Sequence, residues 1–311
     1  MFDTVVSVGL PVDEVLRIRK TVLEPLVKTG NEKRFCIVTG IHGDELEGQY
    51  VCYELIRRIQ EDIGCLKGEV EVYPAVNPLG MEAISRGVPA FDLDMNRSFP
   101  GIQDGDLVER TAAGLAADIA GAAVCIDLHA SNIFIREIPQ VRLGEQNLEL
   151  LFDYAKELNV EFIWADNSPT VLEGTLSHTL NAMGVPTLAV EMGVGMRITR
   201  EYGDHLVEGI FCLLKKLGIW AGDTIEPRKP IVSTDGEVEM VHAGEAGIFL
   251  PRIEHWMGIR KGDIVGEIID SLKGEVLEQI TAPCSGMVFS LREFPIVYEG
   301  SLIARILGGV E

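Results

Sequence analysis

Short apolar runs alternate along the first two-thirds of the chain with stretches whose apolar residues recur every three or four positions. Residues 35–39 (FCIVT) read as a buried strand, and residues 45–62 place Cys52, Leu55, Ile56 and Ile59 at helical spacing. Residues 70–76 alternate as a strand does. Helical spacing returns over 106–120, with Leu107, Val108, Leu115 and Ile119, and is followed by the apolar run 123–128 (AVCIDL). A helix over about 146–158 carries Leu148, Leu151, Phe152, Ala155 and Leu158 on one face. A strand near 161–165, a helix near 173–183, a strand at 187–190 (TLAV) and a helix over 202–217 complete the series. Strands alternating with helices predict an α/β fold, with helices flanking a largely parallel or mixed sheet.

The pattern changes near residue 225. The segment 226–230 (EPRKP) reads as a linker, and residues 231–311 are short strand-like runs punctuated by glycines. The expected organisation is an α/β domain over 1–225 and a small all-β accessory domain over 226–311. Residues 77–105 are rich in glycine, proline and charge and have little periodicity. A loop of that length inside a compact domain is usually functional.

Charge narrows the partners. A net charge of −21 repels phosphate backbones and anionic lipid, which argues against nucleic-acid and membrane partners. No apolar run approaches the roughly 18–20 residues that span a bilayer, and no charged-then-apolar leader opens the chain. The expectation is a cytoplasmic protein. The six cysteines are scattered without a C-x-x-C pair, as buried reduced thiols would be. An anionic substrate would need local arginines to overcome the global field.

Two polar constellations sit at the ends of apolar runs. G-I-H-G-D-E (40–45) follows FCIVT directly and places His42 and Glu45 three residues apart where a strand turns into a helix. Chemistry in open α/β sheets collects beyond the carboxyl ends of strands. Alone, this spacing is equally met by a surface histidine and a glutamate suited to a helix start. Asp127-Leu128-His129 ends the AVCIDL run, and strand alternation puts Asp127 and His129 on one face. His129 is the candidate third ligand, and Asp127 the carboxylate that fixes a ligand imidazole by accepting its hydrogen bond. Two histidines and a glutamate leave a fourth position for water, the pattern of catalytic zinc, and one Zn2+ per chain is expected.

Glu191 follows the apolar VPTLAV run beside M-G-V-G and is the candidate general base and acid. The long loop supplies Arg86, a candidate for stabilising an oxyanion, and D-L-D-M-N-R-S-F-P-G (92–101). Within it, Asn96 and Arg97 are candidates for binding a substrate carboxylate, the guanidinium offering a bidentate fork. Pairing of these arginines with Asp92 and Asp94 is the plainer alternative.

Taken together, G-I-H-G-D-E-L-E-G, N-P-L-G, D-L-D-M-N-R-S-F-P-G, D-L-H and the glutamate of V-E-M-G resemble the succinylglutamate desuccinylase/aspartoacylase family, a branch of the zinc carboxypeptidase-like hydrolases. The resemblance covers roughly residues 30–220. It implies zinc on His42, Glu45 and His129, Arg86 and Asn96-Arg97 as substrate anchors, and Glu191 as base and acid. The stretch after D-L-H (A-S-N-I-F-I-R-E-I-P-Q-V-R) contains Arg136 and Arg142, candidates for a pocket of its own kind. The C-terminal part resembles the barrel-sandwich hybrid of biotinyl and lipoyl carriers, with K-G-D-I-V-G-E-I-I and Y-E-G-S-L-I-A-R-I as pseudo-repeats. Lys273 in S-L-K-G-E lacks the flanking methionines of a modified carrier lysine, so an unmodified domain is expected.

The reading is a zinc-dependent deacylase of small anionic N-acyl amino acids, and a homo-oligomer is compatible with it. The alternatives are a metallocarboxypeptidase acting on peptide C-termini and a non-catalytic zinc- or ligand-binding protein. There is no G-x-S-x-G, G-x-x-x-x-G-K or G-x-G-x-x-G, which removes serine-hydrolase and nucleotide-binding readings.

Overall fold

The computed structural model describes residues 1–144, 148–165, 174–234 and 237–309. In chain order, a hairpin of β1 (Phe2–Gly9) and β2 (Val15–Leu23) precedes β3 (Arg34–Val38), α1 (Glu47–Glu61), β4 (Glu69–Tyr73), α2 (Pro78–Ala83) and α3 (Leu107–Ile119). Then come β5 (Val124–Ala130), β6 (Ile135–Leu143), α4 (Leu148–Ala155), β7 (Phe162–Ala165), α5 (Leu176–Ala182), β8 (Thr187–Gly193) and α6 (Arg200–Lys216). Beyond α6 no α-helix occurs among the described residues. The strands there are β9 (Ile231–Thr234), β10 (Val238–His242), β11 (Gly247–Pro251), β12 (Met257–Ile259), β13 (Ile264–Asp270), β14 (Glu275–Thr281), β15 (Gly286–Arg292), β16 (Ile296–Val297) and β17 (Leu302–Gly308).

One mixed sheet runs β1-β2-β4-β3-β5-β8-β6-β15-β17-β10, with β7 beside β6, β9 beside β7 and β12 beside β15. Its centre is parallel: β3 with β4 and β5, and β5 with β8. Side chains alternate between its faces. Phe35, Ile37, Ile126 and Leu188 pack under α1, α4 and α6, while Cys36, Val38 and Cys125 pack under α3 and α5. Strands covered on both sides can be continuously apolar, which is why β3 and β5 are legible as such. The α/β class expected from the alternation is therefore borne out. The C-terminal strands add a β-sandwich-like unit, in which β14-β13-β11-β16 packs over a core including Phe249, Val265, Ile268, Val288 and Ile303.

The sheet does not stop near residue 226. The edge of β6 away from β8 is divided: Ile135, Arg136 and Glu137 pair with β15, and Gln140 to Leu143 pair with β7. A one-residue bulge lies between Glu137 and Gln140 where β6 meets β8. The sheet thus forks at β6 and carries the C-terminal strands on one arm.

Several elements differ from the sequence pattern. The hairpin β1–β2 and strand β6 were not expected. In β6, Pro139 and the bulge break the two-residue alternation that would announce a strand. The strand expected over 70–76 is Glu69–Tyr73. Within the loop expected over 77–105, α2 forms at N-P-L-G, where Asn77 Oδ1 accepts the Gly80 N–H at 2.9 Å and Pro78 opens the helix. The start of the helix expected near 173–183 lies outside the described residues, and its described part is α5. Cys36, Cys52, Cys125 and Cys212 are buried, Cys65 and Cys284 half-buried, and all six are free thiols.

Candidate active site

The parallel strands β3, β5 and β8 end at one place, and the residues singled out in the sequence gather there. Val38 ends β3, and the chain turns through Thr39–Leu46 into α1. The turn is held against the long loop. A Cβ on Gly43 would stand 2.0 Å from the carbonyl carbon of Gly80, so only glycine allows G-I-H-G-D-E and N-P-L-G to touch. Asn77 N–H donates to Gly40 O at 2.7 Å, and Gly43 N–H to Arg86 O at 3.3 Å.

His42, Glu45 and His129 are buried, and each offers a ligand atom such that all lie within 4.8 Å of one another. His42 Nδ1 is 2.7 Å from Glu45 Oε1, and His129 Nδ1 is 3.0 Å from Glu45 Oε2. His42 Nδ1 makes no hydrogen bond despite that approach. Two lone-pair donors facing each other off hydrogen-bond geometry are what a shared cation requires. The N,N,O donor set is also that of catalytic zinc. These residues therefore fit such an ion.

The outer ring nitrogens face carboxylates. His42 Nε2 lies 3.0 Å from Asp94 Oδ1, and His129 Nε2 lies 3.0 Å from Asp127 Oδ1. Asp127 thus stands where the D-L-H alternation predicts. Asp94 was read only as a partner for arginines. Its signal was weak because nothing in the spacing of 42 and 94 ties them. Asp94 Oδ1 also accepts the Asn96 N–H at 2.9 Å, which fixes the loop around it.

Electrostatics follow from this crowding. Burial alone would lower the affinity of both imidazoles for protons. The carboxylates beside them prevail, Asp94 and Glu45 at His42 and Asp127 and Glu45 at His129, so both pKa values rise. Burial would push Glu45 up, yet His129 and His42 hold it down at about 2. The cluster favours positive charge.

Glu191 pairs with His129 across β5 and β8, on the same face. Burial raises its pKa against the lowering influence of Arg142 and His129, while Glu137 and Glu45 add to the rise. Arg142 Nη1 lies 3.7 Å from Glu191 Oε1. Arg86 reaches Glu45 Oε1 at 2.8 Å and Asp94 Oδ2 at 3.4 Å. Asn96 is buried, with Nδ2 3.4 Å from His129 Nε2 and Oδ1 accepting the Leu176 N–H at 2.9 Å. Arg97 is exposed, and its Nη1 donates to Asn96 O at 2.8 Å. Among the described residues, its guanidinium hydrogen bond goes to the neighbouring carbonyl rather than to the His42–Glu45–His129 group. Its loop is closed by Pro100 and Gly101. Gly101 has φ +77°, and a Cβ there would meet Glu109 O at 2.2 Å.

Of the two arginines in the stretch after D-L-H, Arg142 lies on the Glu191 face. Arg136 instead sits 5.8 Å from the Tyr202 ring centroid, and Tyr202 OH is bonded to His255.

Residues 31–217 match the model of the succinylglutamate desuccinylase/aspartoacylase catalytic domain. Among curated proteins, N-alpha-acetyl-L-2,4-diaminobutyric acid deacetylase of Halomonas elongata is 25% identical over 300 residues, covering 92% of this chain and 85% of the relative. A succinylglutamate desuccinylase from a Silicibacter species superposes with a TM-score of 0.85 at 21% identity, covering 100% of this chain and 95% of that one. The product-bound ectoine utilization protein EutE (DoeB) of Ruegeria pomeroyi gives 0.81 at 21% identity, covering 98% and 93%.

Proposed function

The chain belongs to the succinylglutamate desuccinylase/aspartoacylase family, and from that premise we propose that it is a zinc-dependent deacylase that hydrolyses the amide bond of a small N-acyl amino acid. His42, Glu45 and His129 would hold one zinc ion. The observation that carries this reading is the convergence of those three buried side chains within 4.8 Å. When bound, the ion supplies Lewis acidity that acidifies water and polarises the amide carbonyl.

The chain's own residues do the rest. Asp94 and Asp127 orient the two imidazoles by facing their outer nitrogens. Glu191, whose affinity for a proton burial raises, takes a proton from the attacking water and delivers it to the departing amine nitrogen. Arg86 donates to the oxygen that becomes negative as the carbonyl is attacked. Asn96 and Arg97 receive the substrate carboxylate, with Arg97 at the exposed rim. The deacetylase relative makes N-acetylated diamino acids the first substrates to try, and a carboxylate on them supplies the anion that these arginines need.

The test is a panel of N-acetyl and N-succinyl amino acids, with N-acetyl-L-2,4-diaminobutyrate among them, set against short peptides, using the zinc-loaded protein. Turnover of the acyl amino acids with peptides untouched is expected. Cleavage of peptide C-terminal residues would instead make it a carboxypeptidase. Zinc analysis accompanies the panel, and protein that retains no zinc after loading and desalting would remove the metal from the reading.

A further inference from the structure

The wall beside Glu191 is built by strands from both ends of the chain. His129 pairs with Glu191 across β5 and β8, and Glu191 with Gln140 across β8 and β6. The bulge that follows returns Glu137 to the same face, where it pairs with Ser290 of β15, and Ser290 pairs with Arg305 of β17. Side chains on one face thus cross five strands, stepping along β6 from Gln140 to Glu137, from a proposed metal ligand to the C-terminal β region.

Glu137 is the centre of that path. Its side chain is 1% exposed and receives two guanidinium groups. Arg142 Nη2 donates to Oε2 at 2.9 Å and to Oε1 at 3.2 Å, Gln140 Nε2 donates to Oε2 at 3.1 Å, and Arg305 Nη1 donates to Oε1. The Trp164 ring holds both arginines, with guanidinium carbons 5.4 Å and 5.6 Å from its centroid. Two cations thus share one buried carboxylate, and Arg142 also faces a second one, that of Glu191, with Nη1 3.7 Å from Oε1.

We infer that Arg305 is a positioning residue for the deacylation site: by neutralising Glu137 from the C-terminal side, it keeps Arg142 shared between Glu137 and Glu191. Without Arg305, Glu137 is a buried anion whose nearest cation is Arg142, and the attraction draws Arg142 onto it and away from Glu191. The C-terminal strands then act on the reaction without touching substrate. The inference rests on the assignment of Glu191 as proton carrier.

The experiment uses the zinc-loaded full chain, with kinetics on the N-acyl amino acid turned over fastest in the panel and crystal structures of each variant. Arg305→Gln is expected to lower kcat by on the order of tenfold to a hundredfold, the scale of a displaced catalytic group. KM and zinc content should change little, and Arg142 should move beyond its 3.7 Å approach to Glu191. Arg305→Lys keeps the charge and retains most of the rate. The decisive variant is Glu137→Gln/Arg305→Gln. It removes both charges together, and it should recover most of the lost rate and the Arg142–Glu191 approach. A purely structural Arg305 predicts a double variant no better than the single one, and that result overturns the inference. So does an Arg305→Gln protein with unchanged kcat and unmoved Arg142. Should Arg305→Gln fail to fold, the double variant decides alone, because it holds no unpaired buried carboxylate. Glu191→Gln is run in parallel. If it turns over like wild type, the proton-carrier assignment falls, while the Arg142–Glu191 separation still reports on Arg305.

Discussion

Two buried charged clusters sit on the same face of the sheet, and they differ in how their polar atoms are satisfied. In the N-terminal half, Glu71 accepts from Lys20 at 2.6 Å, Arg34 at 2.8 Å, Tyr73 OH at 2.9 Å and Cys36 Sγ at 3.3 Å. Lys20 also reaches Asp118 at 2.7 Å. Both carboxylate oxygens of Glu71 have donors in good geometry. Among the described residues, Arg34 Nε is the one buried atom of this cluster without a hydrogen-bond partner. In the His42–Glu45–His129 cluster Glu45 also has donors on both oxygens, but His42 Nδ1 and both oxygens of Asp127 make no hydrogen bond although charged neighbours stand close. Buried charge alone therefore does not mark a site, since the first cluster reads as a structural brace. Buried polar atoms crowded together without hydrogen-bond geometry, at the ends of parallel strands, point to a ligand.

The sharpest way to break that contrast is to remove one member of each cluster. His42→Ala is expected to lose zinc and all measurable turnover while the metal-free protein keeps its fold, checked by metal analysis and circular dichroism. Glu71→Gln is expected to keep zinc and activity at low temperature. It should cost about 3 kcal/mol of stability, the low end for breaking a buried pair, because Tyr73 and Asp118 remain to receive the freed donors. A Glu71→Gln protein that loses zinc, or a His42→Ala protein that unfolds, would erase the distinction. The next largest effect separates ligand from proton carrier inside the second cluster. Glu191→Gln should retain zinc and fall by roughly a hundredfold or more in kcat. Near wild-type turnover would place the base elsewhere.

The two ends of the molecule were unequally legible in the sequence. His42, Glu45, Asp127 and His129 could be found because each lies within a few residues of a continuous apolar strand, so local pattern fixes both its position and its face. Glu191 was found for the same reason. Asp94 was missed as a neighbour of His42, because the contact joins a long loop to a strand end and no periodicity links them. Glu137 and Arg305 were missed more completely. The bulge in β6 hides the strand, and the contact between them spans 168 positions across the fork of the sheet. Glu71 was passed over because a glutamate in an alternating strand reads as its solvent face. Here that face is covered by α3, whose Asp118 shares Lys20 with it.

A smaller effect tests the rim of the site against its interior. Arg97 is exposed and donates to the neighbouring carbonyl of Asn96, whereas Arg86 is already tied to Glu45 and Asp94. Arg97→Ala should raise KM about tenfold, the scale of about 1.4 kcal/mol, with kcat changed less. Arg97→Lys should lie between, since it keeps the charge and loses the fork. The carboxamide analogue of the best substrate should be handled alike by wild type and Arg97→Ala. If wild type does not distinguish acid from carboxamide, Arg97 does not read a carboxylate.

The finest distinction between the two clusters lies in how each responds to pH when no metal is bound. Glu45 and Glu71 are both held near 2, below the ordinary 4.5, so each contributes stability that is complete above pH 4.5 and is lost as pH falls toward 2. Both clusters weaken in acid. His42 and His129 are raised above the ordinary 6.5, so their contribution is complete below pH 6.5 and is lost as pH rises through the raised values. Lys20 is raised from 10.5, so its ion pairs in the brace are lost only in strong alkali. The buried thiols of Cys36, Cys52 and Cys125 are raised from their ordinary 9.0 and add their own loss only above about pH 8. Loss of stability in the metal-free protein between about pH 6.5 and 8 therefore belongs to the histidine cluster. Zinc reverses the sign there, because its ligands must shed protons to bind it, and the stabilisation it confers grows with pH. Thermal melts of chelator-treated protein should accordingly decline by a few degrees in Tm above neutral pH, and zinc-loaded protein should not. His129→Gln should flatten that decline in the chelated protein, whereas Glu71→Gln should leave it intact and soften only the acid limb. An undiminished alkaline decline in His129→Gln would mean that the histidines are not the groups that titrate, and the contrast between the two clusters would then rest on geometry alone.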